Sequence, residues 1–242
     1  MTQSPSDPND SYLAFAQRWN LPAESPVLRA ALTHRSVAET INDGNERLEF
    51  LGDALLGAFV AHYLIRTLPP DTGEAALSRA RIAVVRKETL ADAARKLGIP
   101  DLLRVGQGER KERRHTHDTL LADAYEALIA AIFLEQGREA MEAFLLETLA
   151  DILAQVVANP PAPDAKTELQ MRLQAVGKGL PAYHTVSAEG GGHDHRFVVE
   201  VTDATGTVLG RGEGGSKRAA QMQAAQEALT HDILSAESKG TE

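Results

Sequence analysis

The stretch NERLEFLGDALLGAF, residues 45–59, places three carboxylates in an otherwise apolar segment. Glu46, Glu49 and Asp53 stand at positions i, i+3 and i+7, so an α-helix would bring them onto one face. Apart from Arg47 the segment holds no other charge, whereas a surface helix carries a broad polar face. We therefore expect a helix that is buried around nearly its whole circumference and carries its acids close to the protein interior.

A second segment, LLADAYEALIAAIFLE at residues 120–135, repeats this combination. Asp123 and Glu126 stand at i and i+3, and they are the only charges between positions 119 and 134. Two like charges about 4 Å apart repel each other by about 4 kcal/mol even at an effective dielectric constant of about 20. The acids of the two segments therefore need a positively charged partner.

Two kinds of partner would satisfy these acids. Carboxylates that converge without histidine or cysteine are oxygen-only ligands, which suit hard cations such as Mg²⁺ or Mn²⁺. Two such ions about 4 Å apart can activate a water and stabilise the leaving oxygen of a phosphodiester. The alternative is neutralisation by arginines, for which the candidates are Arg47, Arg79, Arg81 and Arg86. The residue types favour metal, and leave room for an arginine beside one or two of the acids.

Composition limits the class of protein. The chain has 242 residues, 43% of them hydrophobic, and no cysteine, which excludes disulfides and thiolate metal sites and favours a reducing compartment. The N-terminus shows no secretory signal, and the longest apolar run, 127–134, is too short to span a bilayer. We expect a soluble, cytoplasmic protein. The net charge of −9 argues only weakly against a nucleic-acid partner, because bound cations invert the field of an acidic site.

Proline and glycine positions divide the chain into two domains and a linker. Residues 1–158 predict an all-α domain with helices at 11–19, 27–32, 46–66, 74–85, 88–97, 117–136 and 139–157. The run NPPAPD then predicts a semi-rigid linker over 159–163. Residues 164–236 predict a small α+β domain of order α-β-β-β-α, with elements at 166–177, 182–190, 196–206, 207–214 and 216–234. The tail, 237–242, is expected to be disordered.

The first acidic segment carries a family resemblance. NERLEFLGDALLG resembles the signature of the ribonuclease III family, the double-strand-specific RNA endonucleases. Further matching motifs follow in the same order and at similar spacing: LTHRS (32–36), GEAALSRARIAVV (73–85), GQGE (106–109) and LLADAYEALIAAIFLE (120–135). The resemblance implies that the all-α domain is an endonuclease domain.

The resemblance also implies roles for individual acids. It assigns metal binding or catalysis to Glu49, Asp53, Asp123 and Glu126. Asp53 and Glu126 would be the catalytic pair, and loss of Glu126 would be the most damaging. Glu46 and Glu74 match acidic family positions near the active-site cleft and the dimer interface, and they rank below the other four.

Family members form a homodimer, which places two active centres across one valley. The resemblance therefore implies Mg²⁺-dependent hydrolysis of duplex RNA, with Mn²⁺ as a substitute, giving 5′-phosphate ends and short 3′ overhangs. Processing and decay of rRNA and mRNA precursors is the expected role. Neither a membrane nor a small-molecule organic cofactor is expected to take part.

The element order of the C-terminal part resembles the double-stranded-RNA-binding domain, which reads A-form shape across two minor grooves and the phosphates between them. The residues that would contact RNA are Gln170, Gln174, His193, Ser216, Lys217 and Arg218. Ser216 is also a candidate N-cap, at a helix start that favours anions. Each of these residue types is common on solvated surfaces, so the assignment depends on their combination. Residues 164–242 contain 8 Lys+Arg and 11 Asp+Glu, net −3, so we expect RNA binding by this domain to weaken at high salt.

Two other functions fit parts of the sequence. His34, His62 and the run HTHD at 115–118 suggest a histidine-metal phosphohydrolase, but that run lies in a charged segment, 109–118, with no apolar framework to fix ligands. A non-catalytic duplex-RNA-binding protein is the stronger alternative. Degenerate members of such families keep the fold and lose the acids, whereas all four acids are present here. An active nuclease is therefore the preferred interpretation.

Overall fold

Two compact units make up the structure, a computed structural model that describes residues 8–112, 116–189 and 195–231. The units are Met1–Pro161 and Ala162–Glu242, so the division falls within the NPPAPD run. The described part of the first unit is built from helices, and the second contains a three-stranded sheet between two helices in sequence. An all-α domain followed by an α-β-β-β-α domain is the predicted fold class, and the structure confirms it.

The helices of the first unit follow the predicted segments closely, with two differences. The predicted helix at 139–157 is divided at Leu149, whose backbone leaves the helical conformation (φ −108°, ψ 10°) although no proline or glycine marks the break. Two short helices, at 99–102 and 107–111, were not predicted. The helices are α1 Pro8–Arg18, α2 Pro26–Ala31, α3 Glu46–Thr67, α4 Glu74–Val85, α5 Lys87–Lys96, α6 Ile99–Leu102, α7 Gln107–Lys111, α8 Asp118–Gln136, α9 Arg138–Thr148 and α10 Ala150–Ala158.

Helix α8 is the centre of the first unit. Leu121, Leu128 and Ile129 are fully buried, and α2, α3, α5 and α9 all pack against the helix. The almost uniformly apolar sequence of α8 predicts this all-round burial, and the structure confirms it. Asp123 and Glu126 therefore lie on a helix that has little other contact with solvent.

Helix α3 is buried on one side only. Leu56, Val60 and Leu64 lie in the core, but Phe50 is 80% exposed and Ile65 is 67% exposed. The prediction of all-round burial is therefore wrong for α3, which leaves a second apolar face uncovered. An apolar sequence shows that a helix face avoids water, but it does not show whether the same chain or another surface covers that face.

Helix α3 is also the one helix, among the described residues, that is long and apolar enough to cross a membrane by length and composition. Glu46, Glu49 and Asp53 occupy its first eight residues, and its buried side packs against α8. An acidic start and a packed side are features of a core helix in a folded domain.

Gly52 sets the distance between α3 and α8. A Cβ built on Gly52 would lie 1.8 Å from the carbonyl oxygen of Glu126 and 2.5 Å from its carbonyl carbon. Only glycine permits such a close approach of two backbones. Because Glu49 and Asp53 lie within one turn of Gly52 on α3, this crossing carries both of them towards Glu126 on α8.

The second unit is an antiparallel sheet of order β1-β2-β3 with a helix before it and a helix after it. The predicted strand 196–206 ends earlier, at Thr202, because Asp203 begins a tight turn. Its Oδ1 accepts hydrogen bonds from the backbone N–H of Thr205 at 2.9 Å and of Thr207 at 3.0 Å. The elements are α11 Ala165–Ala175, β1 Ala182–Glu189, β2 Arg196–Thr202, β3 Val208–Gly214 and α12 Lys217–Thr230.

Strand β3 packs against α12 through residues without large side chains. A Cβ on Gly212 would lie 2.2 Å from the backbone nitrogen of Ala224 and 2.4 Å from the carbonyl oxygen of Ala220. Gly210 approaches Ala224 and Ala228 in the same way. The glycines of VLGRGEG and the alanines of α12 therefore form one backbone-to-backbone interface.

Candidate active site

Three carboxylates meet where α3 crosses α8. One carboxylate oxygen from each of Glu49, Asp123 and Glu126 lies within 4.8 Å of the other two. All three side chains are half-buried, and they form the one group of three or more potential metal ligands in the described part of the chain. We refer to these three residues as the acidic cluster.

The environment of the acidic cluster disfavours the charged form of its carboxylates. Burial, and after it the nearby carboxylates of Asp53, Glu49 and Asp123, raise the pKa of Glu126 to about 8. Burial, followed by the charge of Asp123, raises the pKa of Glu49. Burial also raises the pKa of Asp123. Neighbouring carboxylates that all bind protons more tightly than usual provide a favourable position for a cation.

Asp53, Glu46 and Glu74 lie outside the acidic cluster. Asp53 is close enough to raise the pKa of Glu126, but its side chain is exposed and does not belong to the group of ligands within 4.8 Å. Glu46 lies one turn before Glu49 and pairs with Arg35 at 3.3 Å. Glu74 begins α4, where it accepts a hydrogen bond from the Ser78 hydroxyl at 2.7 Å. The structure thus brings together three of the four acids predicted to bind metal.

The four arginines proposed as neutralising partners do not serve the acidic cluster. Among the described residues, none of them donates a hydrogen bond to a cluster carboxylate. Arg47 bonds to the side chain of Asn42, and Arg79 donates to the carbonyl oxygen of Pro161 at 3.1 Å. Neutralisation by these arginines is therefore wrong as an account of the buried acids.

Sequence reasoning missed the cations that do act on the cluster. Although burial keeps the pKa of Asp123 above its usual value, Lys87, His34 and Arg35 act in the opposite direction. Arg35 also opposes the rise in the pKa of Glu49. His34 and Arg35 belong to the LTHRS motif, which gave a signal, whereas Lys87 belongs to no motif that we identified.

A histidine-metal site finds no support in the described residues. His34 shares a hydrogen bond with the Ser36 hydroxyl at 2.9 Å, and His62 lies exposed on α3. Asp118 is engaged by Arg95, and His115 lies outside the described residues. The metal-capable group in this part of the chain is carboxylate only.

Four of the residues predicted to contact RNA are exposed on the two helices of the second unit. Gln170 and Gln174 lie on α11, and Lys217 and Arg218 occupy the first turn of α12. Ser216 caps α12, because its hydroxyl oxygen accepts a hydrogen bond from the Ala219 N–H at 3.2 Å. This confirms Ser216 as an N-cap, and contact with RNA stays a prediction for the exposed residues. His193 lies outside the described residues.

The raised pKa of Glu126 predicts a pH-dependent stability. The folded protein binds a proton on Glu126 more tightly than the unfolded chain does. Protonation of Glu126 therefore stabilises the fold fully below pH 4.5, and this stabilisation is lost as the pH rises to about 8. The free energy of unfolding of the metal-free protein should fall by on the order of 2 kcal/mol across this window, after allowance for solvent screening. Millimolar Mg²⁺ at pH 8 should raise the melting temperature, since a ligand that prefers the folded state stabilises it. Thermal melts from pH 5 to 8, in chelator and in Mg²⁺, test this, and a flat profile unaffected by Mg²⁺ would contradict it.

Comparison with known proteins decides the family. The family model described as Ribonuclease-III-like matches residues 24–153, and the one described as Double-stranded RNA binding motif matches residues 165–231. The chain belongs to the ribonuclease III family. The match spans the acidic cluster in full, and the second match spans both helices and all three strands of the second unit.

Individual ribonuclease III relatives agree with this assignment. The chain is 41% identical to Ribonuclease 3 of Thiobacillus denitrificans over 206 residues, covering 85% of this chain and 89% of that protein. It is 40% identical to Ribonuclease 3 of Dechloromonas aromatica, covering 86% and 91%. Among solved structures, a nuclease domain of ribonuclease III from Campylobacter jejuni aligns with a TM-score of 0.53 and 33% identity, covering 57% of this chain and 94% of that domain. The report of that structure concerns flexibility in a region involved in dimer formation.

Proposed function

We propose that the protein is a Mg²⁺-dependent endoribonuclease that hydrolyses phosphodiester bonds of double-stranded RNA. One observation carries the proposal: within a ribonuclease III-like domain, Glu49, Asp123 and Glu126 bring three carboxylate oxygens within 4.8 Å of one another. A double-stranded-RNA-binding motif follows in the same chain. The acidic cluster would supply the chemistry, and the second unit would hold the duplex.

The acidic cluster fits a hard divalent cation. Its donors are oxygens only, and its carboxylates bind protons more tightly than usual. Among the described residues, no arginine forms an ion pair within 4 Å with any of the three. Glu49, Asp123 and Glu126 would hold the metal, with Asp53 at the edge of the site. Bound Mg²⁺, or Mn²⁺ in its place, would activate the attacking water and stabilise the departing 3′ oxygen. Hydrolysis in that direction leaves a 5′-phosphate on the product.

The second unit supports duplex RNA as the substrate class. The exposed side chains Gln170 and Gln174 of α11 can reach 2′-hydroxyl groups, and Lys217 and Arg218 can neutralise phosphates at the capped start of α12. Structured precursors of rRNA and mRNA are the natural substrates that we propose, in the cytoplasm.

The uncovered apolar face of α3 supports a homodimer. Phe50 and Ile65 are exposed on this helix, and large exposed apolar patches on a folded domain mark interaction surfaces. A second copy of the chain, packed on this face, would place two acidic clusters in one assembly. Two cuts on opposite strands would then yield the short 3′ overhangs expected of the family resemblance.

Phe50→Glu should prevent this association. The substitution places a charge on the apolar face, where burial in a dimer would leave it unpaired, while the monomer keeps the side chain in solvent. We expect a dimer for the wild type and a monomer for the variant by analytical ultracentrifugation at micromolar concentration. Glu139→Gln, an exposed position on α9, is the control and should leave the wild-type mass unchanged. A Phe50→Glu variant that stays dimeric would place the interface elsewhere.

The proposed function is tested by cleavage of a long RNA duplex in Mg²⁺, with single-stranded RNA and duplex DNA as matched controls. We expect cutting of the RNA duplex alone, with 5′-phosphate ends detected by their ligation without prior phosphorylation. If the protein binds the duplex but does not cut it in either Mg²⁺ or Mn²⁺, the proposed enzyme is contradicted and a non-catalytic duplex-RNA-binding protein is favoured.

A further inference from the structure

Two cations from outside α3 and α8 contact these helices one turn before a cluster acid. Arg35 pairs with Glu46 at 3.3 Å, and Glu46 lies one turn before Glu49 on α3. The ammonium group of Lys87 donates a hydrogen bond to the Thr119 hydroxyl at 3.1 Å, and Thr119 lies one turn before Asp123 on α8. Each cation is therefore held beside the turn that precedes a cluster acid.

Lys87 forms no ion pair within 4 Å among the described residues, although its charge acts on Asp123 from a longer distance. Its nitrogen makes one hydrogen bond, to a neutral hydroxyl, so that two further N–H donors stay available. Lys96, at the other end of the same helix α5, instead pairs with Asp151 at 2.7 Å. The two lysines thus provide a matched contrast between an unpaired and a paired ammonium group.

These cations do not neutralise the acidic cluster. Among the described residues, neither forms an ion pair within 4 Å with a carboxylate of the cluster: Arg35 pairs with Glu46, and Lys87 bonds to Thr119. The side chains of Lys87 and Arg35 are both exposed, and each contacts a residue next to the cluster, Thr119 or Glu46, rather than a carboxylate of the cluster. A polyanion that approaches the cluster would meet them first, since exposed cations attract phosphate oxygens.

We propose that Lys87 and Arg35 form a phosphate-binding rim, each contacting non-bridging phosphate oxygens of the RNA strand that lies over the acidic cluster. This rests on the proposed function, because the rim serves the strand that the cluster cuts. The rim lies in the first unit, so it acts in addition to the contacts of the second unit. It holds the backbone beside the cluster against the repulsion of the carboxylates.

The test compares RNA affinity across salt concentrations. Lys87→Gln and Arg35→Gln are made in a Glu126→Gln background, and binding to a duplex RNA of about 30 base pairs is measured between about 50 and 300 mM salt. Each lost phosphate contact should reduce the slope of log affinity against log salt by about 1 and weaken binding by up to about tenfold. Lys96→Gln removes the same charge from the same helix and should leave slope and affinity unchanged.

Two further variants separate a phosphate contact from a structural bond. Lys87→Arg keeps the charge and should retain the slope. Thr119→Val removes the hydrogen bond between α5 and α8 without removing a charge, and should also retain it. The proposed rim is contradicted if Lys87→Gln and Arg35→Gln leave the salt slope of RNA affinity unchanged. It is also contradicted if Thr119→Val reduces that slope as much as Lys87→Gln does.

Failure of the rim can be distinguished from failure of the proposed function. Binding is measured in a background in which cutting is not required, so it reports on the rim even if the wild type does not cleave. Wild-type cleavage together with unchanged salt slopes would overturn the rim and leave the nuclease in place. Reduced slopes without wild-type cleavage would support the rim and overturn the nuclease.

Discussion

Glu126→Gln should lower the rate of duplex RNA cleavage by at least about 10³-fold. Glu126 contributes one of the three converging carboxylates, and it is the one whose pKa burial and neighbouring acids raise furthest, to about 8. Glutamine keeps the shape of the side chain and removes its negative charge, so the cluster would lose one of the three carboxylates proposed to hold the metal while α8 stays packed. The loss should therefore fall on the chemical step and leave RNA affinity close to the wild-type value.

The measurement is single-turnover cleavage of a duplex RNA in saturating Mg²⁺, beside binding of the same duplex. Glu139→Gln makes the same chemical change at an exposed position of α9 and should cut at the wild-type rate. Glu126→Gln should also melt at a higher temperature than the wild type in chelator at pH 8, because it removes a half-buried charge from a repulsive cluster. Cleavage by Glu126→Gln at the wild-type rate would exclude the acidic cluster as the active site.

Gly52→Ala should destabilise the first unit by about 3 kcal/mol or more. The added methyl would lie 1.8 Å from the carbonyl oxygen of Glu126, and a backbone atom cannot move aside as a flexible side chain can. The helices α3 and α8 would have to separate, which disturbs the core and moves the acids of α3 away from Glu126. We therefore expect a loss of activity in whatever fraction of the protein still folds.

Urea unfolding followed by tryptophan fluorescence measures this effect. Trp19 is the only tryptophan in the sequence and belongs to the first unit, so its signal reports on that unit. Gly108→Ala is the control, because a Cβ at this helical glycine of α7 would meet no heavy atom within 4 Å. An unfolding midpoint for Gly52→Ala equal to that of the wild type would show that the α3–α8 crossing is looser than the structure gives.

The periodicity of the sequence predicted much of the site, because helical spacing fixes which residues share a face. It placed Glu49 with Asp53, and Asp123 with Glu126, before any contact between the helices was known. It could not show that Asp53 lies at the edge of the cluster, since that depends on how α3 is rotated where it crosses α8. Gly52 determines this crossing, but the sequence does not show which backbone segment packs against a glycine within a helix.

The contacts that sequence reasoning missed are those between distant segments. Lys87 reaches Thr119 across 32 positions, and Arg35 reaches Glu46 across a loop. Such pairs have no local pattern, because the chain brings them together only after both helices are packed. The division of 139–157 at Leu149 was missed for the opposite reason: no residue there marks a helix end.

The uncovered face of α3 shows a different limit. An apolar helix with few charges predicts burial, and the prediction was wrong within one chain because Phe50 and Ile65 remain exposed. Apolar composition indicates that a helix surface is shielded from water, but it does not show whether the same chain or another chain covers that surface. The same composition therefore predicted the core position of α8 correctly and overstated that of α3.

The glycine–alanine interface of the second unit has a thermodynamic consequence. Three buried alanines of α12, Ala220, Ala224 and Ala228, lie against the glycine backbone of β3, so this part of the core buries peptide groups and methyl groups rather than large hydrocarbon side chains. Exposure of apolar surface raises the heat capacity of the unfolded chain, whereas exposure of peptide groups lowers it. Unfolding of this unit should therefore carry a small heat-capacity increment for its size. Its stability curve would be shallow, so that the free energy of unfolding of this unit would change little between cold and warm conditions.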